Sequence, residues 1–199
     1  MNGNKKISDF IGRHENRLKL LSAMWADPRV QLYSDKKLPA PEELADGSVF
    51  LAGPTSRNQI VECNWRSEAV AYLREAGFSG YIYAPEPRGE EKRGDFTERS
   101  YIHRWESDRL LSASRPTFWI PRNSGELLGL NTNLELGIFI GKVLFTGQNP
   151  TVFIGWPDDA KRMGLPSHYA VEIAGCLRFK TLKSLCNAVA GKDELLGAA

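Results

Sequence analysis

The stretch Gly129-Leu130-Asn131-Thr132-Asn133-Leu134-Glu135-Leu136-Gly137 sets one carboxylate, Glu135, at the head of an apolar run. A turn leading into a helix presents free N–H groups and the positive end of the helix dipole, which favours an ionised carboxylate able to act as a nucleophile. The same residues fit a plainer reading. Thr132-Asn133-Leu134-Glu135 matches the Ser/Thr-x-x-Glu capping box, in which Glu135 only ties down a backbone N–H. A second carboxylate, Glu106, falls in the apolar stripe Ile102, Trp105, Leu110, Ala113, four residues from both Ile102 and Leu110. Helical spacing turns it toward the interior or a cleft, where it serves chemistry or forms an ion pair such as one with Arg109 at i+3. A third group is the loop Gly53-Pro54-Thr55-Ser56-Arg57-Asn58. Its hydroxyls, the Arg57 guanidinium and the N–H groups of the helix beyond suit one phosphate; the alternative is a solvated loop arginine.

These residues need a scaffold, and the apolar pattern predicts one. Short apolar runs at 49–52, 81–84, 117–120 and 151–156 alternate with helical stretches, and a fifth short strand is expected near 176–179. Alternation of this kind argues an α/β Rossmann-like (flavodoxin-like) sandwich with a mostly parallel sheet of about five strands. Ligands of such sheets sit beyond the carboxyl ends of the strands, which directs attention to the loops that follow each run. Residues 1–47, with a helix around 14–25 and the Pro-containing stretch Leu38-Pro39-Ala40-Pro41, are expected to be an N-terminal appendage and linker, and 48–199 the domain proper.

A length of 199 residues allows one well-cored domain and is short for two. With 42% hydrophobic and 25% charged residues the chain is of globular type, and a net charge of +2 with interleaved signs leaves no basic stripe for a nucleic-acid polymer. Cys63, Cys176 and Cys186 are odd in number and lack Cys-x-x-Cys spacing, so reduced cytoplasm is the expected setting. No targeting segment or membrane span is expected, since the longest apolar stretch contains Glu135 and Lys142. His14, His103 and His168 lack metal-ligand spacing, and no cofactor or metal is called for. An NAD-dependent oxidoreductase would need a Gly-x-Gly-x-x-Gly turn, which the loop from Gly53 lacks.

Phe50-Leu51-Ala52-Gly53-Pro54-Thr55, Trp65-Arg66, Pro85-Glu86, Trp105-Glu106, Phe118-Trp119-Ile120-Pro121-Arg122 and Asn131-Thr132-Asn133-Leu134-Glu135-Leu136-Gly137 together resemble the nucleoside 2-deoxyribosyltransferase-like family over about residues 48–157. The resemblance implies that Glu135 attacks the anomeric carbon of a 2-deoxyribonucleoside, that the base leaves, and that a second base takes the sugar. It implies that Glu106 contacts the base or the reacting sugar, with Phe50, Gly53, Pro54, Thr55, Ser56, Arg57, Pro85, Glu86, Trp105, Asn131 and Asn133 around the substrate. The partners so implied are a nucleoside or nucleotide and a free base; a homo-oligomer is expected, but the C-terminal segment that completes a neighbouring subunit's site in some members has no recognisable counterpart here, so the family's oligomer is not carried over. An N-glycosidase and a non-catalytic nucleotide-sensing module are the alternatives on the same fold. Phe50 stands where well-studied members carry a Tyr that orients the nucleophile, and Gly129 stands where they carry an Asp. Another polar group must orient the nucleophile here.

Overall fold

Strand β2 (Ser48–Ala52) is buried at every residue, the condition of a central strand in a parallel sheet covered on both faces, where side chains of either parity meet apolar neighbours. Its alternate residues divide between two cores. Val49 and Leu51 pack on one face of the sheet, Phe50 and Ala52 on the other. A computed structural model describes residues 2–55, 65–89, 99–122, 129–146 and 152–192.

In chain order the elements are α1 (Asn2–Ala26), β1 (Val30–Gln31), a 3-10 turn (Pro41–Leu44), β2, α2 (Trp65–Glu75), β3 (Tyr81–Tyr83), α3 (Arg99–Ser112), β4 (Arg115–Trp119), α4 (Leu130–Thr146), β5 (Phe153–Gly155), α5 (Gly164–Ser167) continuing as π-helical turns (His168–Ile173), β6 (Arg178–Phe179) and α6 (Leu182–Val189). The six strands form one parallel sheet in the order β1-β3-β2-β4-β5-β6. The first core joins the sheet to α1, α2 and α6, and the second joins it to α3, α4 and the segment around Met163, Ala170 and Cys176. The result is an α/β sandwich of Rossmann-like type. Without the edge strand β1, the order is that of the flavodoxin-like sheet, whose switch point lies between β2 and β4.

All five expected strands are present, and the sheet has a sixth. It comes from the segment expected to be an appendage: β1 pairs in parallel with β3, Val30 opposite Ile82, while Leu21 and Met24 of α1 enter the first core. Two residues are too few to show a period, so this strand leaves no pattern in the sequence. Helix α6 is capped by Thr181, whose hydroxyl accepts from the Ser184 N–H at 3.1 Å. Cys176 and Cys186 are free and buried, and burial pushes the Cys186 thiol up to about 12. Cys63 lies outside the described residues. Among those described, no helix is long and apolar enough to cross a membrane.

Gly53 closes β2 where the chain passes against β4. A Cβ there would lie 2.2 Å from the Trp119 carbonyl oxygen and 2.5 Å from Trp65 Cζ2. Backbone of a paired central strand has little room to give, so Gly53→Ala should lower stability by about 1–3 kcal/mol. A urea unfolding midpoint unchanged from wild type would show that the two strands can separate at this point.

Candidate functional site

The loops after β2 and β3 and the start of α4 meet at the carboxyl edge of the sheet around a cavity of about 230 Å³. The cavity lies at the end of β2, where a switch-point site is expected. Its wall brings together Phe50, Gly53, Pro54, Thr55, Pro85, Glu106, Asn131 and Glu135 from the expected set, and adds Ala52, Arg66, Gly129, Leu130 and Thr132. Both carboxylates singled out from sequence therefore face one space, although they come from α3 and α4.

Glu135 does not act as a capping-box residue. Helix α4 begins at Leu130, so Thr132 lies inside the first turn and Glu135 in the second. A box needs its Thr at the N-cap, three residues before the Glu. What precedes the helix is Gly129, with φ +61 and a Cβ position 3.3 Å from Pro54 Cβ. A side chain there would be strained in backbone and would press on the loop after β2, so glycine lets the two loops close around the cavity.

Glu106 is not paired with Arg109 as its i+3 neighbour. The Arg109 guanidinium donates to Gln31 Oε1 at 3.0 Å, to the Asp35 carbonyl at 2.6 Å and to the Lys37 carbonyl at 3.2 Å, and stacks 4.2 Å from the Trp105 ring centre. Burial holds it below the usual arginine range, and the carboxylates that act against this are Asp108 and Asp35. Glu106 instead accepts from the Tyr33 hydroxyl at 2.5 Å. Tyr33 follows β1, is buried, and packs edge-on against Trp105 at 5.2 Å. Its carbonyl accepts from the Tyr101 hydroxyl at 2.6 Å and its N–H donates to the Glu86 carbonyl at 3.1 Å.

Arg66 holds the floor. Its side chain is 2% exposed and its donors reach the Leu51 carbonyl at 3.0 Å, the Gly53 carbonyl at 2.7 Å, Thr55 Oγ1 at 3.0 Å and Glu86 Oε1 at 2.6 Å. Trp65 Nε1 adds a bond to the Pro54 carbonyl at 3.0 Å. The loop after β2 is thus fixed from below by two consecutive residues of α2.

Three expected contact residues take other places. Glu86 is the buried ion-pair partner of Arg66. Trp105 is buried against Tyr33 with its Nε1 donating to the Asp35 carbonyl at 3.0 Å. Asn133 points away, its Oδ1 accepting from Arg122 Nη2 at 2.5 Å. Ser56 and Arg57, with the rest of the suggested phosphate loop, lie outside the described residues. Tyr33 and Arg66 are the residues that pattern reading missed as parts of the site. Tyr33 sits in the segment set aside as an appendage, and Arg66 was quoted only as part of a motif. His103 and His168 are exposed and away from this wall, His168 lying 2.8 Å from Glu172.

Neither a known family model nor a curated protein matches this sequence.

Arg66→Met removes the cation and leaves the Glu86 carboxylate buried without it. Breaking a buried pair on one side costs about 3–5 kcal/mol, so the variant should unfold at clearly lower denaturant concentration. Arg66→Met combined with Glu86→Leu should recover part of the loss. A single variant as stable as wild type would mean that Glu86 is hydrated in place.

Proposed function

We propose that the protein cleaves the N-glycosidic bond of 2-deoxyribonucleosides through a covalent sugar ester on Glu135 and passes the sugar to a second base. The observation that carries this reading is that Glu135 and Glu106 line one cavity at the switch point of the sheet, with the Gly53-Pro54-Thr55 loop beside them. The motif resemblance supplies the reaction class, and the cavity supplies a place where two carboxylates can flank one small molecule.

In this scheme the Glu135 carboxylate attacks the anomeric carbon as the bond to the base nitrogen breaks, through an oxocarbenium-like transition state that the carboxylate stabilises and then traps. The departing base carries away the bonding electron pair, and its ring gains negative charge that needs hydrogen bonds or a proton. Glu106 faces that position and is held by the Tyr33 hydroxyl, which fixes the carboxylate before substrate arrives. A nitrogen of a second base then attacks the anomeric carbon of the ester, the bond from that carbon to the Glu135 oxygen breaks, Glu135 leaves as carboxylate, and the new nucleoside is released once the attacking nitrogen has given up its proton. Water in place of the second base would give free deoxyribose.

The charge of the described wall residues favours an uncharged nucleoside over a 5′-monophosphate. Among the described wall residues the charged groups are Glu106, Glu135 and Arg66, and the guanidinium of Arg66 is committed to Glu86. Two carboxylates beside a neutralised arginine repel a phosphate.

Glu135→Ala should reduce turnover by at least about a thousandfold with a stability change of under about 1 kcal/mol, because it removes the nucleophile from a half-exposed position. Mass spectrometry of the protein with a deoxynucleoside should show a deoxyribosyl adduct on Glu135 that a second base discharges into a new nucleoside. An adduct yielding only free sugar makes the protein an N-glycosidase, and near-normal activity of the Ala variant removes Glu135 from the chemistry.

Glu106→Gln and Tyr33→Phe test the second carboxylate. Loss of one hydrogen bond to a charged group is worth about 1.5–3 kcal/mol. If that loss is expressed in the transition state, Tyr33→Phe should lower turnover about tenfold or more at nearly unchanged melting temperature. Equal rates in Tyr33→Phe and wild type would show that Glu106 keeps its place without the hydroxyl.

A further inference from the structure

A groove of about 750 Å³ runs between α4 and the α5 segment, on a different arc of α4 from the residues that face the cavity. Its volume falls in the ~300–1,000 Å³ range of sites that take small molecules. Leu136, Ile140 and Leu144, four residues apart, form one wall, and Leu165, Pro166 and Tyr169 form the other. Gly137 and Gly141 also line the groove, and a Cβ at either would meet nothing within 4 Å. The space is therefore open down to helix backbone.

The charged groups of this apolar groove are two arginines, Arg122 and Arg162, gathered with Asn133 beside the first turn of α4. Arg122 is 6% exposed. Of the five N–H donors of a guanidinium, its bonds to the Arg162 carbonyl, the Gly129 carbonyl and Asn133 Oδ1 use three, and its Nε has no hydrogen-bond partner. The Lys161 N–H donates in return to the Arg122 carbonyl at 2.9 Å, which ties the turn carrying Arg162 to the same end of the groove. Arg162 has φ +55, the one non-glycine in the left-handed region among the described residues, a conformation that persists where the surroundings fix it. No described carboxylate lies within 4 Å of either guanidinium. Burial and the Arg162 charge both hold Arg122 below the usual arginine range. Buried cations in folded chains are ordinarily paired, and this one has a like charge for a neighbour.

We propose that the groove binds a single-chain amphipathic carboxylate, its head on Arg122 and Arg162 and its acyl tail between α4 and the α5 segment. The head supplies the missing negative charge, in the bidentate geometry that a guanidinium and a carboxylate share. The tail covers Leu144, Leu165 and Tyr169, which are otherwise exposed. From Asn133 to Leu144 the helix rises about 16 Å, the length of roughly thirteen single bonds in an extended chain, which fits an acyl group of about ten to twelve carbons. Such a ligand differs in class from the nucleoside proposed for the cavity, and its binding does not depend on that reading.

Isothermal titration calorimetry of the full chain with decanoate, below its micelle concentration, should show saturable binding at one site per chain. Acetate, the head alone, should not saturate, and 1-decanol, the tail with a neutral head, should bind at least about tenfold more weakly than decanoate. Arg162→Ala, a change at an exposed side chain, should weaken decanoate about tenfold and leave 1-decanol unchanged. Gly141→Leu should fold with an unchanged circular dichroism spectrum, since it removes a glycine from a helix interior and its Cβ has room, yet it fills the groove and should abolish binding of both probes. Absence of saturable decanoate binding overturns the proposal. So do equal affinities for decanoate and 1-decanol, an Arg162→Ala variant that binds decanoate as wild type does, or a Gly141→Leu variant that does.

Discussion

A single guanidinium buried beneath the end of β2 governs the geometry of the candidate site. Arg66 has no water to fall back on at 2% exposure, so its donors must find oxygen within the protein. They find it at the Leu51 and Gly53 carbonyls, at the Thr55 hydroxyl and at the Glu86 carboxylate. Those four acceptors belong to the end of β2, the loop after it and the loop after β3. Moving any of them leaves a charge-assisted hydrogen bond unmade in a dry place, and the loops are accordingly held to one arrangement.

The constraint extends through Glu86. Its side chain neutralises Arg66, while its carbonyl accepts the Tyr33 N–H and so fastens the loop after β1 to the loop after β3. That loop is tied in turn to α3: Trp105 and Arg109 both donate to the Asp35 carbonyl, and Tyr101 donates to that of Tyr33. Glu106 is thus placed by a chain of contacts that begins on α2 and passes through three strand ends. Among the described wall residues the one cation, Arg66, is also consumed in building the wall.

Helix α4 carries three obligations on one cylinder. Leu136, Phe139 and Ile140 enter the second core, Thr132 and Glu135 face the cavity, and the remaining arc is apolar and exposed. A helix apolar nearly all round is ordinarily buried nearly all round. Its first turn is anchored by Arg122, which reaches Asn133 Oδ1, the Gly129 carbonyl and the Arg162 carbonyl, and which burial, with Arg162 nearby, holds below the usual arginine range. Position of the site carboxylate and exposure of the apolar face are therefore set by the same rigid element.

The strands within the apolar runs 49–52, 81–84, 117–120 and 152–156, the helices between them and the two glutamates were legible in the sequence because each rests on a pattern within one element: an apolar run bounded by turns, a carboxylate breaking an apolar stripe at Glu106, or a carboxylate at the head of an apolar run at Glu135. Loop positions followed from the rule that α/β ligands gather at strand ends. What periodicity cannot carry is pairing between distant residues. The two-residue strand β1 exists only because β3 offers it an edge, the bond from Tyr33 to Glu106 spans 73 positions, and Glu86 looked like a contact residue until Arg66 was found against it. The capping-box and Arg109 readings failed as well. Each was locally reasonable in spacing: the capping box was displaced by a helix that begins two residues before Thr132, and the Arg109 pair by partners that only the folded chain brings within hydrogen-bond reach.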